Sequence, residues 1–375
     1  MDTLLQVILY IILVVALLWL GARVFLRGPD LGRYDQPAGK LASTSDRPGE
    51  DNKQISLLLK DLEGKIQAAP RKARLQTIRE LVDKGFTDVI PEDQLGVERR
   101  NVDAGGVPAE WVLAADADPN RRLLYIHGGA FYVGSPSSHR TLTAALSRTA
   151  GVAVLAIDYR LMPEHPRMAS IEDCQTAWRW MLEHGPNEPN EPNDDSAPAD
   201  AYVAGDSAGG NLTLTLIAWI RDHGLRQADA AVALSPITDS TYSSPSMRSN
   251  IVTDEMLGPM LGPLMRVPRW ALAYATLYLA RMKPQNPLIS PIFGDLANLP
   301  PTLIQASTSE MLTDDCRRYV NKAREAGSPA ELQLWPEMVH VWQLFEPVSA
   351  EAREAIGRIA EFLSRHSGRR ESAAA

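Results

Sequence analysis

Residues 200–222 read Asp-Ala-Tyr-Val-Ala-Gly-Asp-Ser-Ala-Gly-Gly-Asn-Leu-Thr-Leu-Thr-Leu-Ile-Ala-Trp-Ile-Arg-Asp. Ala201–Ala204 is a short apolar run of strand type, and Asn211–Ile220 is a helical run. Between them Gly205-Asp206-Ser207-Ala208-Gly209 matches G-x-S-x-G. A serine at such a strand–turn–helix junction occupies a strained turn, and its neighbours must lack side chains for the chain to bend so sharply. The helix that follows directs its first N–H groups toward the turn. The spacing therefore marks Ser207 as a candidate nucleophile at the end of a buried strand.

Outward from this point, short apolar runs alternate with helical stretches. The runs are 108–114, 122–127, 152–157, 201–205, 230–235, 301–306 and 330–335. Such alternation predicts an α/β protein with a mostly parallel sheet covered by helices on both faces. The closely spaced first two runs predict an antiparallel edge. Apolar positions at helical spacing over 54–85 predict two helices separated near Pro70. Residues 240–290 interrupt the alternation and carry Met256, Met260, Met265, Trp270, Tyr274, Tyr278 and Met282, a composition suited to a lid over an apolar site. The Pro-, Asn- and Glu-rich stretch at 184–200 predicts a solvated loop.

Upstream of the serine, His127-Gly128-Gly129-Ala130-Phe131 follows the strand-like Leu123–Ile126. Ester cleavage passes through a tetrahedral oxyanion, and catalysis needs preorganised donors aimed at it. Consecutive glycines let backbone N–H groups approach that oxygen. Gly128 and Gly129 are the expected donors, with the N–H of Ala208 as the third. His127 stands at a strand end before the serine, where it braces the loop.

A third motif, Asp158-Tyr159-Arg160-Leu161-Met162-Pro163-Glu164-His165-Pro166, completes a recognisable set. With His127–Ser135 and Gly205–Asn211 it makes the chain resemble the hormone-sensitive-lipase family of α/β-hydrolase esterases over about residues 95–365. The resemblance implies an eight-stranded hydrolase sheet. It also implies a helical cap built from N-terminal helices and an insertion after the nucleophile, which fits 54–94 and 240–290. The D-Y-R segment would then be structural.

In this fold the chain order is nucleophile, acid, histidine. Of the seven histidines only His340 and His366 lie beyond the last plausible acid. His366 is in a polar tail, whereas His340 follows the run Leu332–Trp335 by a short loop and is the expected base. The orienting acid should follow the run at 301–306, where Glu310, Asp314 and Asp315 are candidates. Set against the family's D-P-L-x-D pattern, Glu310-Met311-Leu312-Thr313-Asp314 puts Glu310 at the acid position. Glu replaces the commoner Asp there and Met replaces Pro. Thr313 has the look of an N-cap, and Asp314 and Asp315 suit the first turn of the helix it opens.

Leu4–Leu20 is apolar except for Gln6, and the stretch extends to Leu26 if Arg23 snorkels. The start, Met-Asp-Thr, lacks the basic residues of a secretory signal, so residues 4–26 read as an uncleaved single-pass anchor. Arg23, Arg27 and Arg33 follow the segment and none precedes it, which predicts a cytoplasmic catalytic domain. Residues 27–53 read as a flexible stalk. The domain proper is expected over 95–367, with 368–375 a tail. The net charge of −8 and the lack of a basic stripe exclude a nucleic-acid partner. Cys174 and Cys316 form no C-x-x-C pair and suggest neither a metal site nor a disulfide framework. No metal or organic cofactor is implied.

The expected function is hydrolysis of short- to medium-chain carboxylic esters through an acyl-enzyme. The alternatives keep the same residues and change the substrate: a membrane-anchored deacetylase, a lactonase or an amidase. A binding module is disfavoured because both Ser207 and His340 are present.

Overall fold

A computed structural model describes residues 2–43, 49, 52–70, 72–85, 94–187 and 197–368. The apolar runs become strands β1 (Lys40–Leu41), β2 (Val97–Asp103), β3 (Pro108–Ala114), β4 (Asp118–Ile126), β5 (Val152–Ile157), β6 (Asp200–Asp206), β7 (Ala230–Leu234), β8 (Thr302–Ser307) and β9 (Ala330–Trp335). They form one nine-stranded sheet in the order β1-β9-β8-β7-β6-β4-β5-β3-β2. All neighbours are parallel except β2 with β3 and β3 with β5.

The sheet departs from expectation in two places. The antiparallel edge is made by β2 and β3, not by 108–114 and 122–127, because β4 lies inside the sheet between β5 and β6. Leu123–Ile126 is buried throughout and needs partners on both sides. β2 reads Val-Glu-Arg-Arg-Asn-Val-Asp, too polar to register as an apolar run but well suited to an edge. The ninth strand, β1, comes from the segment expected to be a free stalk.

Side chains along each strand alternate between two cores. Leu124 and Ile126 join one with α5 (Arg167–Glu183), α6 (Ala208–Asp222) and α10 (Thr313–Glu325); Leu123 and Tyr125 join the other with α4 (Arg140–Ala150) and α11 (Ala350–Arg365). Trp111 and Trp178 fill the first, and Trp335, Trp342 and Phe362 the second.

The N-terminal α1 (Asp2–Phe25) contains, at Thr3–Phe25, a stretch long and apolar enough to cross a membrane, and all of it but the last turns stands clear of the protein. The segment after it is not a free stalk. Leu31 and Tyr34 are buried in the first core, Arg318 Nη2 donates to Asp35 Oδ2 at 3.0 Å, and Asn321 Nδ2 donates to Tyr34 O at 2.9 Å. Composition hid this because a few apolar anchors outweigh the surrounding Pro, Gly and Asp.

The helices expected near Pro70 are α2 (Asn52–Ala68) and α3 (Arg74–Gly85). The 240–290 insertion forms α7 (Ser246–Ser249), α8 (Leu257–Met265) and α9 (Arg269–Ala280). The two pieces touch where Ser56 Oγ donates to Glu255. Arg79 of α3 donates to the carbonyls of Tyr132 and Met162 and pairs with Glu164. Both cysteines are buried free thiols. Residues 188–196 of the low-complexity loop and 369–375 of the tail lie outside the described residues.

Candidate active site

Parallel strands deliver their loops to one end of the sheet, and three of those loops meet. The first is the turn between β6 and α6. Ser207 sits at φ 50° and ψ −111°, a conformation that L-residues avoid. A Cβ on Gly209 would lie 1.9 Å from Ile126 O, and one on Gly205 would lie 2.5 Å from the same oxygen. Only glycine lets α6 start this close to the end of β4. The turn is held by Ser207 N–H, which donates to Leu234 O at 2.7 Å.

The second and third loops follow β8 and β9. His340 Nε2 lies 2.9 Å from Ser207 Oγ, and His340 Nδ1 lies 2.7 Å from Glu310 Oε2. Glu310 and His340 are buried, and Ser207 is half-buried. Asp314 points elsewhere: it accepts the N–H of Ser246 at 2.8 Å and pairs with Arg317. Asp315 is buried and accepts the N–H groups of Thr238 and Asp239. Both acids do stand in the first turn of α10, although the helix begins at Thr313 itself, with Leu312 as N-cap. His366 closes α11, away from this cluster.

The N–H groups expected to meet the oxyanion are not all free in the structure. Gly128 N–H is committed to Asp206 Oδ1 at 2.9 Å, so it is not free to meet a substrate oxygen. Only glycine fits here, since a Cβ would lie 2.0 Å from Asp206 Oδ2. Among the described residues no hydrogen bond engages the N–H of Gly129, Ala130 or Ala208. Ala130 adopts φ 55°, in the left-handed region that favours glycine. His127 braces this loop. Its ring stacks on Tyr159 at 4.2 Å between centroids, and its carbonyl accepts the Tyr159 hydroxyl at 2.9 Å. Burial, with His139 nearby, pushes its pKa down to about 3 and keeps it neutral.

Residues 123–344 match the family model described as alpha/beta hydrolase fold. The chain is 40% identical over 267 residues to an acetyl-hydrolase of Streptomyces hygroscopicus, covering 71% of this chain and 83% of the relative. It is 32% identical over 268 residues to an esterase of Acinetobacter venetianus, covering 72% and 82%. Among solved structures it superposes with a TM-score of 0.72 and 33% identity on an esterase from the bacterial hormone-sensitive lipase family, covering 84% of this chain and 98% of that one. The chain belongs to the hormone-sensitive-lipase family of α/β-hydrolase esterases. A further structure similar to it is EstE5 soaked with p-nitrophenyl butyrate, at 31% identity, TM-score 0.70 and coverage of 85% and 99%.

In this family member the insertion holds the acid loop. Asn250 Nδ2 donates to the carbonyls of Thr308 and Glu310, Thr253 Oγ1 to Ser309 O, and Met311 N–H to Asp254 Oδ2 at 2.8 Å. Glu310 Oε1 accepts Ser235 Oγ at 3.0 Å and the N–H of Ser307 at 2.6 Å. Burial raises the Glu310 pKa, opposed by the hydrogen bond and charge of His340. Burial alone would lower the His340 pKa, but the hydrogen bond and charge of Glu310 outweigh it, and the net direction is up.

Sequence reasoning missed Asp206, Ser235, Asn250 and Asp254. Asp206 had a signal: it ends a buried strand beside a glycine loop, where a carboxylate needs donors. It gets them from Tyr125 Oη at 2.7 Å and from Gly128 N–H. Asn250 and Asp254 had none, because their partners are distant in sequence. The Met and aromatic residues of the insertion divide. Met265 is buried against Met311 and Leu312, Trp270 and Tyr274 pack on the end of α1, and Met260 and Tyr278 are exposed.

Proposed function

We propose that this carboxylic ester hydrolase cleaves acetyl and other short- to medium-chain acyl esters, with Ser207 as nucleophile, His340 as general base and Glu310 as orienting acid. The observation that carries the reading is the continuous hydrogen-bonded chain from Glu310 through His340 to Ser207. As Ser207 Oγ attacks the ester carbonyl, its proton passes to His340 Nε2, and Glu310 stabilises the imidazolium. The N–H groups of Gly129, Ala130 and Ala208 receive the oxyanion. His340 then protonates the departing alkoxide, leaving an acyl-Ser207 ester. Water, deprotonated by His340, attacks that ester and releases the acid. The preference for short acyl groups draws support from the acetyl-hydrolase and from the butyrate-soaked relative.

A fluorophosphonate probe should label Ser207, and Ser207→Ala should abolish labelling and most turnover. Labelling at another serine, with activity intact in Ser207→Ala, overturns the assignment. Rates across p-nitrophenyl esters from acetate to palmitate should peak among the short chains. A steady climb to palmitate overturns the acyl preference.

We further infer that α1 is an uncleaved single-pass anchor with the catalytic body on the cytoplasmic side. The support is its apolar length and the Arg23, Arg27 and Arg33 that follow it. The chain should stay with membranes through a carbonate wash, and a reporter fused after Ala375 should read cytoplasm.

A further inference from the structure

The end of α1 does not simply run into the domain. Ala22 and Leu26 are buried against Ala273 of α9, Tyr274 Oη donates to Leu18 O at 3.1 Å, and Gln285 Nε2 donates to Phe25 O at 2.7 Å. Beside this contact opens a cleft of about 360 Å³ lined by Trp19, Arg23, Arg27, Thr241, Arg269 and Trp270, among others. That volume lies within the range of small-ligand sites.

The lining is unusual for this molecule. The chain carries a net charge of −8, yet three guanidiniums meet here. None of the three forms an ion pair among the described residues. Arg23 lies over the Trp19 ring, and Arg269 Nε donates only to Thr241 O. The nearby carboxylate, Asp239, accepts from Thr241 and Ser243 and forms no ion pair with any of the three. Burial and the neighbouring Arg27, Arg248 and Arg318 act against the charge of Arg269, with Asp239 opposing them. Three like charges gathered this way have only Asp239 acting on them, and among the described residues none is in an ion pair. The cleft also stands at the basic end of α1, flanked by two tryptophans, the residue types that settle at bilayer headgroup depth.

We propose that this cleft binds the phosphate headgroup of an anionic phospholipid from the bilayer that α1 occupies. The proposal rests on the reading of α1 as an anchor. The guanidiniums of Arg23, Arg27 and Arg269 would take the phosphate oxygens, and Trp19 and Trp270 would flank the glycerol. Thr241, on the cleft wall, lies on the same connection after β7 as Ser235, which bonds Glu310. A bound lipid would thus brace α9 and the insertion that holds the acid loop.

The test uses the full-length chain in neutral detergent. Binding of short-chain phosphatidylglycerol, short-chain phosphatidylcholine and inorganic phosphate is measured for wild type, Arg27→Gln and Arg269→Gln. Phosphatidylglycerol should bind about tenfold or more tighter than phosphatidylcholine, and each substitution should weaken it about fivefold. Arg27 is exposed, so its variant reports even if Arg269→Gln disturbs the insertion. Equal binding of the two lipids, or phosphatidylglycerol affinity unchanged in Arg27→Gln, overturns the proposal. Inorganic phosphate binding as tightly as the lipid makes this a free-anion site and also overturns it. Carbonate extraction of membranes tests the anchor separately: a chain retained there that shows no lipid preference sinks the cleft alone, and a chain released by the wash sinks the anchor.

Discussion

Glu310→Gln changes one atom in a packed site, and the hydrogen bonds dictate the outcome. Ser307 N–H can only donate, and it lies 2.6 Å from Oε1. The amide oxygen of the introduced glutamine must therefore take that position. Its NH2 then falls where Oε2 was, 2.7 Å from His340 Nδ1. A donor there forces Nδ1 to accept, which moves the ring proton to Nε2, facing Ser207 Oγ. The base thereby loses the lone pair it needs. A tautomer reversed in this way costs about 10⁴-fold in kcat, or about 5.5 kcal/mol of transition-state stabilisation. The melting temperature should change little, because a neutral amide replaces a carboxylate whose charge burial already disfavours. Steady-state hydrolysis of p-nitrophenyl acetate, with thermal melts alongside, measures both. Asp314→Asn, which keeps an amide oxygen for Ser246 N–H, loses the charge paired with Arg317 and touches nothing at His340, should stay within about tenfold of wild type. A Glu310→Gln enzyme within about tenfold of wild type, or an Asp314→Asn enzyme more damaged at equal stability, would refute the reasoning.

Other outcomes follow from the same contacts. His340 must be neutral to accept the Ser207 proton and its pKa is raised, so kcat/KM should fall with decreasing pH along a limb above the ordinary histidine value; in Glu310→Gln any residual limb should move to lower pH. The same raised pKa contributes stability that is full below the unfolded-state value and is lost as pH rises through the folded one. Asn250→Ala frees the carbonyls of Thr308 and Glu310 and should lower kcat about tenfold with KM nearly unchanged, by loosening the acid loop; steady-state kinetics checks this. Deleting residues 1–28 should leave a soluble, active enzyme, whereas deletion through residue 42 should cost about 3–6 kcal/mol from Leu31 and Tyr34 alone, read by urea melts of the two truncations.

The strands that carry chemistry were legible because they are buried on both faces and so are continuous apolar runs. The serine turn and the glycine loop were legible because steric crowding permits few residues there. What stays hidden in the sequence depends on long-range pairing. β2 hides because an edge strand can be polar, and β1 hides because two residues carry no pattern. Gly128 misleads for a similar reason. Its glycine is required, but by the Asp206 carboxylate pressed against it rather than by a substrate oxygen. A requirement for glycine reports crowding without naming what crowds.

The two rims of the sheet bear on how such molecules coexist at close quarters. An unpaired strand edge is a template for another chain, and the hazard grows with crowding. Here β9 is capped by β1, a strand of only two residues, Lys40 and Leu41, both turned to solvent. The opposite rim is β2, whose Glu98, Arg99, Arg100 and Asp103 put charge of both signs along it. Copies confined to a surface could therefore collide rim to rim without joining their sheets.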